Sequence, residues 1–242
     1  MVEITDLTVR FGKKTVLDCI SLSVAEGEIV AIMGSSGGGK TTLLKCVSGL
    51  LTPTSGSVIV SGIDVTKDPE SARLHMGLVF QSAALFDFMT VAENILFGVR
   101  RRFKLGRDDA KQVVKDSLER VGLGDIGDQF PGELSGGMRK RVGIARALAL
   151  KPKVILYDEP TTGLDPVTAY TIDAEIAELR SELGVTSLVV THDVTAVFRL
   201  ADRVAFLDSG KLAFLGTPGE FETDQHEGIK ELLFKAQTRS VG

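Results

Sequence analysis

The sequence predicts an α/β fold: a mostly parallel, buried sheet with helices around it, an antiparallel β subdomain at the start and a helical lobe inserted in the middle. Three observations predict it. The runs EIVAIM (28–33), KVILYDEP (153–160) and TSLVVTHD (186–193) have the length and unbroken apolarity of strands buried on both faces. Helix-period segments separate them, the alternation expected of parallel-sheet proteins. Each run also ends in polar groups: a glycine loop after the first, Asp158 and Glu159 at the second, His192 at the third. Ligands of open α/β sheets collect beyond the carboxyl ends of the strands, so these groups point to one shared site.

The elements follow in chain order. ITDLTVRFGKKTVLDCISLSV (4–24) alternates apolar and polar residues, as hairpin strands with one wet face do. KTTLLKCVSGL (40–50) reads as the helix after the glycine loop. RDDAKQVVKDSLERVGL (107–123) reads as a helix with acidic cap candidates Asp108 and Asp109 and an apolar stripe through Val114, Leu118 and Val121. A Gly/Pro/Asp-rich link, GLGDIGDQFPGE (122–133), follows it. Asp165-Pro166 opens a further helix with Ile172, Ile176, Leu179 and Leu183 on one face. Near the end, GIKELLFKA (228–236) spaces Ile229, Leu232, Leu233 and Ala236 as one apolar helical face, expected to pack on its own domain. The chain reads as one domain over 1–242. An α/β core occupies about 1–81 and 151–218, a helical lobe about 82–150, and a helical tail 219–242.

Composition narrows the function. With 43% apolar and 25% charged residues the chain has an ordinary globular balance. A net charge of −4 removes the electrostatic footprint of a dedicated nucleic-acid binder, so no nucleic-acid partner is expected. The basic cluster Arg100–Lys104 reads as a solvated loop or helix end. Cys19 and Cys46 lie far apart, and His75, His192 and His226 have no metal-ligand spacing. No apolar run approaches the roughly 18 residues of a membrane span, and the start lacks a basic-then-apolar signal pattern. A cytoplasmic protein is expected.

The chemistry-bearing motif is GSSGGGKT (34–41), a G-x-x-x-x-G-K-[ST] loop between a strand and a helix. Its residues Gly34, Ser35, Ser36, Gly37, Gly38 and Gly39 let the backbone wrap a phosphate closely, so successive N–H groups form an anion nest. Lys40 would reach the β- and γ-phosphates, and Thr41, followed by Thr42, would offer its hydroxyl to Mg²⁺. Asp158, at the end of a buried strand, suits the same ion, and Glu159 beside it is placed to polarise an attacking water. Asp165 is first of all a helix cap. His192 and Gln81, each alone, would be ambiguous strand-end polar groups. A second turn of anion-binding character, LSGGMRKR (134–141), raises the question of why one domain needs two.

Taken together, these residues resemble an ATP-binding-cassette (ABC) ATPase subunit of the P-loop NTPase fold, and the resemblance covers nearly the whole chain. In order they match the Walker A loop (34–42), the Q-loop at Gln81, the LSGGM signature, Walker B at VILYDE, the D-loop at GLDP and the switch histidine His192. Phe11 matches the aromatic that stacks on adenine, with an ordinary strand-end ring as the alternative. The resemblance implies ATP and Mg²⁺ as cofactors, with Thr41, Gln81 and Asp158 at the metal and Glu159 and His192 as catalytic groups. It also implies a head-to-tail homodimer in which Ser135, Gly136, Gly137 and Met138 close over the partner's ATP, with Asp165 at the interface. Two phosphate turns then serve two sides of each nucleotide.

Most of the family has Gln where this chain has Met138, and Ser, Cys or Ala where it has Gly38; the glycine is expected to add flexibility. The wording FQSAALFDFMTV (80–91) with ELSGGMRKRVGIARAL (133–148) is most similar to the Mce-linked, Mla-type phospholipid transporter ATPases. That similarity implies a multispanning permease, an Mce-domain lipid-binding protein and a small accessory subunit as partners. It places the chain at the cytoplasmic face of the inner membrane, in phospholipid movement that maintains membrane lipid asymmetry. The alternatives are a small-solute importer and a cytosolic ABC ATPase of the iron–sulfur assembly type.

Overall fold

Side-chain alternation along the central strands divides the interior into separate packing layers. The computed structural model describes residues 1–239. Its strands are β1 (Val2–Phe11), β2 (Lys14–Val24), β3 (Ile29–Gly34), β4 (Ser55–Val60), β5 (Ile63–Asp64), β6 (Met76–Val79), β7 (Val154–Asp158), β8 (Thr186–Val190), β9 (Arg203–Asp208) and β10 (Lys211–Gly216). One sheet, ordered β2-β1-β4-β5, is antiparallel throughout. The other, ordered β10-β9-β3-β8-β7-β6, is parallel except for β10 at its edge.

The helices are α1 (Lys40–Val47), α2 (Pro69–Arg73), α3 (Val91–Arg102), α4 (Arg107–Glu119), α5 (Gly136–Leu148), α6 (Pro166–Leu183), α7 (Val194–Leu200), α8 (Pro218–Thr223) and α9 (Glu227–Arg239). Val154 and Leu156 of β7 face the antiparallel sheet and α1, while Ile155 and Tyr157 face the helices α3 to α6. On β3, Val30 and Ile32 join the first layer, and Ala31 and Met33 join a third formed with α7, Phe206, Phe221 and Ile229. A two-residue period thus gives one sheet two dry faces. Ile229 is fully buried in that third layer, and Leu232, Leu233 and Ala236 of α9 pack against it.

Local details differ from the sequence reading in three places. Asp108 and Asp109 occupy the first turn of α4, whose cap is Gly106; they act on the helix dipole and do not bond its free N–H groups. Val121 is fully buried but lies just beyond that helix. Leu183, at the last turn of α6, is 39% exposed while Ile172, Ile176 and Leu179 are buried. The helix runs past the edge of the layer it covers. The arginines 100–102 end α3, where cations are favoured by the carbonyl end of the dipole.

Asp173 on α6 is 2% exposed and pairs with Arg199 of α7, whose guanidinium lies 5.2 Å over the Tyr170 ring. Burial pushes the Asp173 carboxyl up, and the arginine opposes that shift. Removing one partner leaves a buried charge alone, so Arg199→Ala should cost about 3 kcal/mol, the low end for such pairs because the arginine is partly exposed. Urea unfolding of the two chains checks it; a loss below 1 kcal/mol would show that water reaches Asp173.

Candidate active site

Strand register assembles the site. Ile32 of β3 pairs with Val190 of β8, and Val190 pairs with Asp158 of β7. Val79 of β6 pairs with Tyr157. Gly34, Asp158, Glu159, His192 and Gln81 therefore leave the sheet within two residues of one level row, at its carboxyl edge.

The loop after β3 is built around close backbone approaches. Gly34 has φ 145°, and a Cβ there would stand 2.1 Å from the Leu207 carbonyl oxygen. Gly39, with φ 97°, would drive a Cβ to 2.5 Å from Leu17 Cδ2. Neither position tolerates a side chain. Gly38 lies between these two. Its φ is unremarkable, but a Cβ would sit 3.0 Å from the Ser35 oxygen and 3.1 Å from that of Leu207, so the position is cramped. Ser35, Ser36 and Gly37 are exposed at the rim, and Thr42 is half-buried in the first turn of α1. Lys40 Nζ donates to the carbonyls of Gly34 (2.9 Å) and Ser35 (2.8 Å), which holds the ammonium over the loop; burial lowers its pKa. Phe11, 54% exposed, lies at the hairpin tip two residues beyond the Val9–Leu17 pair, about 7 Å along the strand from the contact with Gly39.

Thr41 Oγ1 donates to Asp158 Oδ1 at 3.4 Å. Burial, and after it the charge of Glu159, push the Asp158 carboxyl up. Among the described residues no group of three His, Cys, Asp or Glu side chains could hold a metal by itself. A hydroxyl and a half-buried carboxylate side by side fit Mg²⁺, which would take waters and phosphate oxygens as its other ligands. Gln81 is exposed at the same edge. Glu159, a non-glycine residue at φ 50°, turns its carboxylate back into the site. Its Oε2 accepts from Thr162 Oγ1 at 2.5 Å and lies 2.6 Å from His192 Nδ1. The bond to His192, first, holds the Glu159 carboxyl below the usual range against the opposing effect of burial.

The second turn is elsewhere. Ser135 caps α5, its hydroxyl accepting from Met138 N at 3.2 Å. The N–H groups at this helix start have no intrahelical acceptor, as an anion site requires. A Cβ on Gly136 would meet Leu164 at 3.4 Å, and one on Gly137 would meet Thr168 Cγ2 at 2.6 Å, so the turn packs against the start of α6. Asp165 caps that helix, accepting from Val167 N, Thr168 N and Thr168 Oγ1. Met138 packs its side chain against the lobe core. A cavity of about 1220 Å³ opens beside the first loop, between Gly34–Ser36, Thr161–Leu164 and His192; residues 135–138 do not line it.

Sequence reasoning missed two members. Thr162 had no marker, being one of two threonines in a turn. Lys140, 6% exposed, was hidden in the basic stretch after the signature; its spacing of three from Gly143 and six from Arg146 on one helix face was the available signal.

A glycine cradle, a lysine over it, a hydroxyl–carboxylate pair and a carboxylate–histidine pair define a P-loop nucleoside triphosphatase. Comparison makes the family specific. The ABC transporter family model matches residues 17–162. The glutamine transport ATP-binding protein GlnQ of Escherichia coli K12 is 40% identical over 221 residues, 90% of this chain and 92% of that one. The Fe(3+) ions import ATP-binding protein FbpC 1 of Haemophilus influenzae is 42% identical over 207 residues, 86% of this chain but 62% of that one. The dimeric, post-hydrolysis structure of the ATP-binding cassette MJ0796 with ADP and Pi superposes with a TM-score of 0.83 at 31% identity, covering 90% of this chain and 99% of that one. The chain belongs to the ABC transporter family: it is an ATP-binding, ATP-hydrolysing component, and its nucleotide is bound with Mg²⁺.

The Glu159–His192 bond sets a pH expectation. A depressed carboxyl is ionised at neutral pH and loses its charge only as pH falls through the lowered value. His192→Ala removes the main depressing partner, so the Glu159 titration should move upward. A ¹³C-carboxyl NMR titration of both chains reads this; no upward movement would mean that His192 does not set the charge of Glu159.

Proposed function

We propose that the chain is the power-delivering subunit of a membrane transporter, in which ATP closes a head-to-tail pair of subunits and hydrolysis lets them part. The supporting observation is the separation of the two phosphate turns: Ser135–Gly137 are not among the residues that line the cavity beside their own chain's loop, as expected if they serve a partner's nucleotide. The MJ0796 cassette, dimeric in its post-hydrolysis state, fits this reading. In it, Gly34–Gly39 and Lys40 of the present chain cradle the phosphates with Thr42 at the helix start, and Phe11 stacks on the base. Thr41, Asp158 and Gln81 would hold Mg²⁺, which would neutralise developing phosphate charge. Glu159 orients water and accepts its proton, His192 holds the carboxylate, and Ser135, Gly136 and Gly137 donate to the partner's γ-phosphate. Met138 anchors that turn from beneath, and Asp165 sits where the subunits meet.

Closure needs something to feel it. The segment after Gln81 is apolar yet held rigid: the fully buried Asn94 bonds to Phe86, Met89 and Thr90, while Phe88 stays 75% exposed beside Phe86. That surface suits a permease. Among the described residues no helix is long and apolar enough to cross a membrane, so attachment to the membrane would be through that partner.

For cargo, the relatives' names favour small-solute import, with a substrate-binding protein delivering the solute. These relatives carry different cargo names, glutamine and ferric iron, at nearly equal identity, so identity follows the cassette and not the cargo. A second reading, phospholipid movement with an Mce-domain partner and a small accessory subunit, is favoured by FQSAALFDFMTV and Met138. Gentle-detergent capture of the native chain separates them: a permease with a solute-binding protein supports the first, and a permease with an Mce-domain protein and bound phospholipid supports the second. Soluble partners alone would overturn both. For the ATP cycle, Glu159→Gln should bind ATP, accumulate as a dimer in sedimentation, and turn over roughly a hundredfold to ten-thousandfold more slowly. Normal turnover would remove the base.

A further inference from the structure

Lys140 lies almost wholly inside the protein, where lysines persist only with partners. Its ammonium donates to two backbone carbonyls from different parts of the site: that of Gln81, and that of Glu159 at 3.3 Å. The same face of α5 holds the rest of the Gln81 segment. Arg146 donates to the carbonyls of Ala83 and Ala84, both at 2.7 Å, and a Cβ on Gly143 would stand 3.3 Å from that of Ala83. Ala83 and Ala84 both have positive φ, so this fixing is imposed on an otherwise unfavourable turn. The helix that begins at the signature and the segment that begins at Gln81 are therefore one mechanical unit. Lys140 extends that unit to Glu159.

The Glu159 end is where such a tie acts. A non-glycine residue in the left-handed region persists only where its surroundings over-determine it. Here the Glu159 N–H is given to the Val190 carbonyl at 2.9 Å, and its own carbonyl accepts from Lys140. With both backbone groups held, the side chain has a fixed origin for its bonds to Thr162 and His192. Burial lowers the Lys140 pKa and the nearby Glu159 charge raises it, as for a cation retained for its hydrogen bonds.

We propose that Lys140 is a positioning residue that ties the Glu159 backbone to the Gln81 segment and the signature helix, so that movement of the lobe sets the aim of the Glu159 carboxylate. The inference rests on the proposed role of Glu159 toward water.

The test uses the full chain with Lys140→Met and Lys140→Gln, which have similar bulk; only the glutamine keeps N–H donors. Lys140→Met should lose about tenfold to a hundredfold in kcat, the scale of a small misplacement of a reacting group. ATP affinity, read with a fluorescent analogue, should stay within about threefold, since uniform binding is untouched. Lys140→Gln should recover most of the lost kcat at the same affinity. Should the methionine chain fail to fold, Lys140→Leu takes its place. Wild-type turnover in the apolar variant would overturn the proposal, and so would equal slowing by Met and Gln, which would mean bulk or charge. Glu159→Gln is measured alongside: normal turnover there would sink the role of Glu159, whereas slow turnover there with a normal Lys140→Met sinks only the tie.

Discussion

The level pairing of three parallel strands is the constraint on which the site depends. Because Ile32, Val190 and Asp158 share one row, the phosphate loop, the histidine and both carboxylates leave the sheet side by side. A slip of one residue in β7 would turn Val154 and Leu156 to the wrong layer and move Asp158 away from Thr41. Apolar alternation in the core and hydrolytic geometry at the rim are thus set together.

The row also carries strained backbone positions. Gly34 accepts a backbone approach that a side chain would block, Gly39 holds a left-handed φ against the Leu17 side chain, and Glu159 is held at positive φ by its neighbours. The charge pattern follows the same logic. The bond to His192 holds one carboxyl down, while burial, and after it the charge of Glu159, push that of Asp158 up. A divalent cation at Asp158 would oppose that rise.

Much of this was legible in the residues. Runs of buried apolar positions marked β3, β7 and β8, and their last residues marked the site, because parallel strands buried on both faces leave a continuous apolar signature. The cap role of Asp165 followed from the proline after it, and the structure places its carboxylate on the first N–H groups of α6. The apolar face of α9 was readable from spacing alone. Other features were not. Lys140 reads as one more cation in a basic stretch, since burial of a charge depends on contacts 59 residues away in the chain. The cramped setting of Gly38 depends on Leu207, from a strand far along the sequence. Leu183 fits the helical period and is exposed, because period says which face a residue is on and not where the opposing layer ends.

In the proposed cycle each ATP is held from two sides by different subunits, and the role of the signature turn follows from that. Mixing two inactive chains tests it: Lys40→Ala, broken at its own loop, and Ser135→Phe, broken at the turn offered to the partner. In a head-to-tail pair, the mixed dimer has one intact composite site, so an equal mixture should regain roughly a quarter of wild-type turnover if sites act independently. Turnover no greater than the sum of the separate chains would contradict the account, because both turns would then serve the same subunit.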